Sequence, residues 1–141
     1  MSNFDIEKWV KQLKIKNFRG VFSRNNLPKV SFFNECGIIN LDSFTGPGTH
    51  WVCYVKNNTG NQYFDSFGLQ SPKEVINYLP GLKFNNIQYQ SKDSFLCGYY
   101  CLFFIKMLQD NVSMYDILYK VLHVNNSKQN EQTIVKYFKS I

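Results

Sequence analysis

The sequence lacks the segments that direct a protein into or across a membrane. No stretch approaches the roughly 20 apolar residues of a transmembrane helix, and the N-terminus has no apolar signal region. No internal repeat, low-complexity tract or linker divides the 141 residues. We therefore expect no membrane partner and one domain over residues 1–141, which is long enough to bury a core.

Cysteine is scarce, and its spacing is uneven. The four cysteines stand at positions 36, 53, 97 and 101, which is not the pattern of a disulfide framework. This predicts a reducing, intracellular setting. The paired ligand set of a structural zinc site is also missing, so we expect no metal. A zinc-binding module that uses Cys97, Cys101 and a histidine is the alternative hypothesis for these residues.

Long runs of one charge are absent as well. The net charge is +6 and the pI is about 9.1, but the basic residues are scattered along the chain. Such scatter is typical of a solvated surface, and it permits contact with nucleic acid without requiring it. A hydrophobic fraction of 44% with 17% aromatic residues provides ample core material and excludes a disordered chain.

Apolar periodicity and turn residues predict an α+β fold, in which a central mixed sheet packs against a helix that starts at Cys97. Strands are expected at about 36–41, 51–56, 62–65 and 84–89, with a hairpin turn over 56–61 and a loop over 18–34. Helices are expected over 3–14, 72–79, 97–108, 113–123 and from 127 onward. We expect Ser2 and Asp5 to start the first of these helices and Ser127 to cap the last one.

The most informative segment is 90–105, QSKDSFLCGYYCLFFI. A polar loop leads into Cys97, which opens a stretch that is apolar nearly all round, a pattern that predicts the start of a buried helix. A thiol at that place feels the positive end of the helix dipole, which favours the thiolate. Cys97 is therefore a candidate nucleophile, although an inert buried thiol is the more common outcome for such a cysteine. Cys101, one turn later, is expected to be structural.

The other parts of a Cys-His-acid hydrolase lie upstream of Cys97. His50 begins a strand-like run, Asp65 closes the next strand, and Gln90 stands seven positions before the cysteine. Taken singly, a histidine beside Trp51 is more often packed than catalytic, and an aspartate at a strand end is usually a turn residue. Their joint order favours the catalytic hypothesis. His123 has no such surroundings and is expected to be a surface or packed histidine.

Several motifs resemble those of adenains, the adenovirus-type cysteine endopeptidases, within the wider group that includes the SUMO- and ubiquitin-like-protein proteases. The similar segments are 18–28 (FRGVFSRNNLP), 36–40 (CGIIN), 48–51 (GTHW), 63–68 (YFDSFG) and 90–98 (QSKDSFLCG). The resemblance extends from about residue 4 to 110. The order His, acid, Gln, Cys separates this chain from papain-like enzymes, in which the cysteine comes first.

The resemblance implies a role for each site residue. Cys97 would be the nucleophile and His50 its base, Asp65 would orient His50, and Gln90 would stabilise the oxyanion together with the Cys97 backbone N–H. Two neighbours are expected to support them, Trp51 and Gly98. For Trp51, an aromatic beside the histidine in a strand, a place in the core is an equal alternative.

Two departures from the adenovirus pattern affect what the resemblance implies. The third catalytic residue is Asp65, as in the SUMO proteases, where adenovirus enzymes have Glu. No cysteine lies between Asp65 and Cys97, so we expect no activating peptide joined by a disulfide. The compact chain fits a virophage, a Maverick/Polinton element or a related small DNA virus.

The implied function is cleavage of viral capsid precursor proteins at Gly-containing sites during virion maturation. The chemistry would need no cofactor, and DNA or a non-covalent peptide would act as an activator. We expect a monomer in the virion and the infected cell, in the nucleus or a cytoplasmic virus factory. An isopeptidase that removes ubiquitin-like or SUMO-like modifiers is one alternative. A basic nucleic-acid-binding interaction protein on an inactive protease scaffold is the other.

Overall fold

A five-stranded mixed sheet forms the centre of the protein. The structure is a computed structural model and describes residues 1–42 and 50–141. The strands follow the chain order across the sheet: β1 (Phe18–Ser23), β2 (Glu35–Asn40), β3 (Trp51–Asn57), β4 (Gly60–Phe64) and β5 (Lys83–Phe84). The pairs β1–β2 and β4–β5 are parallel, whereas β2–β3 and β3–β4 are antiparallel. The sheet therefore matches the predicted mixed architecture.

Both faces of the central strands are buried, which explains their nearly continuous apolar sequences. Alternate residues enter two separate cores, so that Ile38 and Cys53 lie on one face while Ile39 and Tyr54 lie on the other. The helices that carry the first core are α1 (Asn3–Gln12), α3 (Cys97–Gln109) and α5 (Ser127–Lys139). The short helix α2 (Lys73–Tyr78) contributes Val75 to the second core.

The helix α3 begins at Cys97, as predicted, and is buried along most of its length. Its residues Tyr100 to Ile105 pack into the first core. Beside it, Trp9 of α1 and Phe138 of α5 meet edge to face, with ring centroids 5.0 Å apart. The start of α3 is thus held between the sheet and two further helices, so the backbone around Cys97 is firmly placed.

Some predicted elements differ from the structure. Residues 18–34 are not all loop, because β1 occupies their first part as a half-buried edge strand. The strand predicted at 84–89 is limited to Lys83–Phe84. The helix predicted at 113–123 divides into α4 (Met114–Asp116) and a π-helical turn (Ile117–Val121).

The helix starts follow the predictions in part. Ser2 and Asp5 form the predicted reciprocal capping pair of α1. The cap of α5 is the Asn126 side chain, which accepts the backbone N–H of Gln129, and not Ser127 as predicted. Within residues 1–42 and 50–141, no helix combines the length and the apolar character needed to cross a membrane.

Candidate active site

The thiol of Cys97 lies at the first residue of α3, where it is only 6% exposed. Burial by itself raises the pKa of this thiol, because a buried thiolate loses its hydration. Favourable interactions with the His50 side chain and with the Trp51 and Gly98 backbone oppose that effect, together with the charge of His50. The resulting pKa of Cys97 is below the ordinary value of a thiol, which favours the thiolate.

His50 directly precedes β3, and Asp65 directly follows β4, the neighbouring antiparallel strand. This geometry brings Nε2 of His50 to 2.7 Å from Oδ1 of Asp65. The second ring nitrogen, Nδ1, is buried and has no hydrogen-bond partner of ordinary geometry among the described residues. Because Asp65 occupies Nε2, Nδ1 is the nitrogen that is left to serve the Cys97 thiol.

His50 is poised to carry a positive charge. Burial lowers its pKa, but the hydrogen bond with Asp65 and favourable interactions with the Asp65 and Cys97 side chains outweigh burial and raise the pKa to about 9. A raised imidazole pKa beside a lowered thiol pKa is what an imidazolium–thiolate ion pair requires. The two shifts therefore agree on the same protonation state near neutral pH.

Asp65 is fully buried and holds its carboxylate in a fixed direction. Its Oδ1 accepts the Phe67 backbone N–H across 2.8 Å in addition to the bond with His50. Its Oδ2 is buried and has no hydrogen-bond partner among the described residues. A buried carboxylate with so few donors is stabilised mainly by a cationic partner, and His50 is the group that can provide the charge.

The turn 65–68 supports the histidine from a second side. The Phe67 ring stacks on the His50 ring, with centroids 4.6 Å apart and planes inclined by 30°. Gly68 has a φ of +71°, and a Cβ there would lie 2.6 Å from the carbonyl of Ile87. Only glycine at position 68 allows this turn to pack so closely against the segment that follows β5.

Gln90 is completely buried and is tied to the loop that leads into α3. Its Oε1 accepts the Ser66 hydroxyl across 2.5 Å, and its Nε2 donates to the carbonyl oxygen and hydroxyl of Ser94, at 2.9 and 3.3 Å. The amide nitrogen is thus engaged with Ser94 in this conformation. Its role as an oxyanion donor stays a prediction.

The two supporting residues lie beside the nucleophile. Trp51 is 5% exposed, packs in the first core and donates its indole N–H to the carbonyl of Met1 across 3.3 Å. A Cβ on Gly98 would come within 2.5 Å of the Met1 sulfur and 3.5 Å of the Trp51 ring. Both residues therefore shape the surroundings of Cys97. Gly48 and Thr49, which complete the motif before Trp51, lie outside the described residues.

Three polar residues that sequence reasoning missed hold the site together. Ser66 bonds Gln90, Ser94 receives the Gln90 amide, and Asn85 makes hydrogen bonds to both backbone groups of Asp65. Asn85 lies outside every chemical motif of the chain, whereas Ser94 lies inside the segment 90–98, between Gln90 and Cys97. Ser66 lies inside the YFDSFG motif, and its place between Asp65 and Phe67 was the available signal.

The remaining cysteines and the second histidine lie outside this constellation. Cys36, Cys53 and Cys101 are buried free thiols, and burial raises the pKa of Cys36 and of Cys101. His123 is exposed and its ring contacts Gln129. Across the described ranges, no group of three or more His, Cys, Asp and Glu side chains is placed to bind a metal ion.

Curated proteins of African swine fever virus match the chain. The cysteine protease S273R of isolate Tick/Malawi/Lil 20-1/1983 is 33% identical over 94 residues, covering 54% of this chain and 34% of that protein. The corresponding protein of isolate Warthog/Namibia/Wart80/1980, named SUMO-1 cysteine protease S273R, is 32% identical over the same length. The chain spans about a third of the length of these relatives. No protein-family model matches the sequence.

Solved structures match over more of the chain. The crystal structure of the African swine fever virus pS273R protease in its selenomethionine form superimposes with a TM-score of 0.61 at 19% identity, covering 95% of this chain and 66% of that one. A SUMO protease Ulp1, with its catalytic cysteine oxidised to a sulfinic acid, gives a TM-score of 0.51 at 13% identity over 81% of this chain and 68% of that one. The chain thus has the fold of the SUMO-protease-related cysteine proteases.

Proposed function

We propose that the chain is a cysteine endopeptidase in which Cys97 attacks the carbonyl carbon of a peptide bond. One observation carries this proposal. His50, whose Nε2 lies 2.7 Å from the buried Asp65 carboxylate, lowers the pKa of the Cys97 thiol at the start of α3. A nucleophile, a base and an acid that orients the base are the three parts that acyl transfer to a thiol needs.

In the proposed reaction the Cys97 thiolate forms a bond to the carbonyl carbon, and the carbonyl oxygen becomes an oxyanion. The Cys97 backbone N–H and the Gln90 amide would stabilise it, each donor contributing on the order of 3 kcal/mol. Gln90 would have to release Ser94 in order to do so. The His50 imidazolium gives its proton to the leaving amine, and then accepts one from the water that hydrolyses the thioester. These steps use side chains and backbone alone and call for no cofactor.

The proposed substrates are viral capsid precursor proteins, cleaved at Gly-containing sites during virion maturation. The support is the adenain-like motif set together with relatives from African swine fever virus that are named cysteine proteases. The resemblance to adenains and SUMO proteases further implies a narrow channel that excludes side chains and so favours glycine near the scissile bond. We place the enzyme in the virion and the infected cell, and its origin in a virophage, a Maverick/Polinton element or a related small DNA virus.

A second candidate is an isopeptidase that removes ubiquitin-like or SUMO-like modifiers. The name SUMO-1 cysteine protease, carried by several relatives, and the fold shared with Ulp1 favour this alternative. The same Cys97, His50 and Asp65 would perform the chemistry, and the two candidates differ only in the leaving amine and in the surface that binds the substrate.

The test is to incubate the purified chain with capsid precursors encoded in the same genome, and in parallel with a SUMO precursor and a SUMO-lysine conjugate. Cys97→Ala serves as the inactive control, and mass spectrometry identifies the new termini. Cleavage of the capsid precursors next to glycine supports the endopeptidase. Cleavage confined to the SUMO substrates would replace it with the isopeptidase. No cleavage of any substrate would favour a nucleic-acid-binding protein on an inactive scaffold.

We further propose that DNA, and a peptide bound without a disulfide, regulate a monomeric enzyme. The support for DNA is an exposed set of lysines on two neighbouring helices, α1 and α5, which contact each other through Trp9 and Phe138. The set comprises Lys8, Lys11, Lys136 and Lys139. Phosphate contacts with these side chains would release counterions, so that binding would weaken as salt rises.

A further inference from the structure

The side chain of Asn85 acts as a substitute for strand pairing where the sheet ends. Asn85 follows β5 directly and is 3% exposed. The parallel pairing of β4 with β5 stops at Tyr63 and Phe84. Beyond that point Asn85 Oδ1 accepts the backbone N–H of Asp65 at 3.0 Å, and Nδ2 donates to the Asp65 carbonyl at 2.6 Å. One amide therefore satisfies both backbone groups of Asp65.

The same amide also fixes the segment against which the Asp65 turn rests. Asn85 Nδ2 donates to the carbonyl of Ile87 across 3.1 Å, and Gly68 packs against that carbonyl. The Gly68 backbone N–H in turn donates to the Asp65 carbonyl across 2.8 Å. Asp65 is therefore enclosed between its own turn and the segment 85–87, and Asn85 joins the two.

We propose that Asn85 is a positioning residue, which holds the Asp65 backbone so that its carboxylate stays directed at His50. The inference rests on the proposed function of Cys97, His50 and Asp65. Asp65 lies one residue beyond β4, so strand hydrogen bonds do not hold it. A misplacement of about 1 Å in such an arrangement can lower turnover by roughly a hundredfold.

The electrostatic consequence is specific. The titratable side chains that interact with His50 are Asp65 and Cys97. Tyr63 and Cys101 interact with Asp65, and burial raises the pKa of both, so they stay neutral near pH 7. Loosening Asp65 therefore lowers the pKa of His50, weakens the imidazolium and returns the Cys97 pKa toward that of an ordinary thiol.

The experiment measures the rate at which iodoacetamide alkylates Cys97 as a function of pH, with mass spectrometry of the Cys97 peptide as the readout. Asn85→Ala should move the half-maximal pH upward by about one unit. The matched control is Asn61→Ala, since Asn61 also ties β4 to the following connection, through Pro80, but does not contact Asp65. The control should keep the wild-type pH profile.

Unfolded protein would expose Cys97 as an ordinary thiol and would also move the profile upward, so the comparison uses samples in which the buried Cys36, Cys53 and Cys101 stay unlabelled at every pH. In such folded samples a merely structural role of Asn85 gives an unshifted profile, which overturns the inference. If Asn85→Ala does not fold, Asn85→Ser, which keeps one hydroxyl near Asp65, makes the same comparison and should shift the profile in the same direction. If wild-type Cys97 itself titrates as an ordinary thiol, the proposed function fails, which is a different result.

Discussion

The hydroxyl of Ser66 donates to Oε1 of Gln90 across 2.5 Å, and both side chains are fully buried. Ser66 also accepts the backbone N–H groups of Tyr89 and Gln90 at its carbonyl, at 2.8 and 3.0 Å. Ser66 directly follows Asp65 in the chain. One peptide unit and the Ser66–Gln90 hydrogen bond therefore connect Asp65, which orients His50, with Gln90, the proposed oxyanion donor. A shift of one is therefore transmitted to the other.

Ser66→Ala should lower kcat without a large change in KM. The substitution leaves Oε1 of Gln90 buried without its donor, so the amide loses its fixed orientation while substrate contacts are preserved. We expect a loss of roughly tenfold, smaller than the two to three powers of ten expected when Gln90→Ala removes the donor itself. Ser71→Ala is the matched control, since Ser71 is also a buried serine but bonds to the carbonyl of Pro72. An equal loss in both variants would indicate a general packing defect.

The link between Ser66 and Gln90 illustrates what the sequence could and could not predict. His50, Asp65, Gln90 and Cys97 each stand in a short motif, and the pattern around Cys97 is enough to predict the start of α3. The side chains that fix these residues come from contacts over 20 or more positions, such as Asn85 with Asp65 and Ser66 with Gln90. Neither the local periodicity of the sequence nor its turn patterns can predict such long-range side-chain contacts.

The incorrectly predicted elements have similar causes. The strand β1 contains Gly20 and is only half buried, so it lacks the apolar alternation that identifies a strand. The strand β5 ends after two residues because the Asn85 side chain takes over the backbone bonds. The π-helical turn closes with an Ile117 carbonyl accepting the Leu122 N–H, a choice that depends on packing and not on helix propensity.

Labelling by thiol-reactive inhibitors should be confined to Cys97. Its pKa is lowered, whereas burial raises the pKa of Cys36 and of Cys101. Cys97→Ala should abolish both labelling and turnover. Single substitutions of Cys36, Cys53 and Cys101 by Ala should leave labelling at Cys97, as identified by peptide mass spectrometry. Labelling that persists in Cys97→Ala would contradict the assignment of the nucleophile.

His50→Ala should lose nearly all turnover, because the thiol loses both its base and its ion-pair partner. Asp65→Asn should lose less, since orientation of the imidazole is impaired while the base remains. His123→Ala is the control, because His123 is exposed and its ring contacts Gln129, away from Cys97 and Asp65. Steady-state kinetics on a cleaved substrate would measure the turnover of each variant. A loss of turnover in His123→Ala as large as in His50→Ala would mean that the base is misassigned.

The charged His50 should stabilise the fold in a defined pH window. Its folded pKa of about 9 is above the ordinary 6.5, so its contribution is fully present below pH 6.5 and is lost as the pH rises through about 9. The lowered pKa of Cys97 acts in the opposite sense, giving stability that is lost as the pH falls through its folded value. The difference in urea midpoint between wild type and His50→Ala should therefore shrink between neutral pH and pH 9. A constant difference would contradict the raised pKa.

DNA should stimulate cleavage at low salt, and the effect should fade as salt rises. The reason is counterion release, in which each lysine–phosphate contact adds about 0.9 to the slope of log affinity against log salt. Four exposed lysines are the expected contacts: Lys8, Lys11, Lys136 and Lys139. Replacing all four with Gln should reduce the slope and the stimulation but leave the activity without DNA unchanged, because none of them belongs to the site around Cys97.

Lys120→Gln is the control for this measurement, since Lys120 is exposed but belongs to the π-helical turn, outside α1 and α5, and pairs with Asp116. Cleavage would be followed from about 20 to 300 mM salt, with and without duplex DNA, a range over which several phosphate contacts change affinity by orders of magnitude. Activity without any covalently attached peptide is expected at all of these concentrations, because no cysteine between Asp65 and Cys97 could tether one. A rate indifferent to DNA at the lowest salt would remove the regulatory proposal and leave a protease that depends on Cys97, His50 and Asp65 alone.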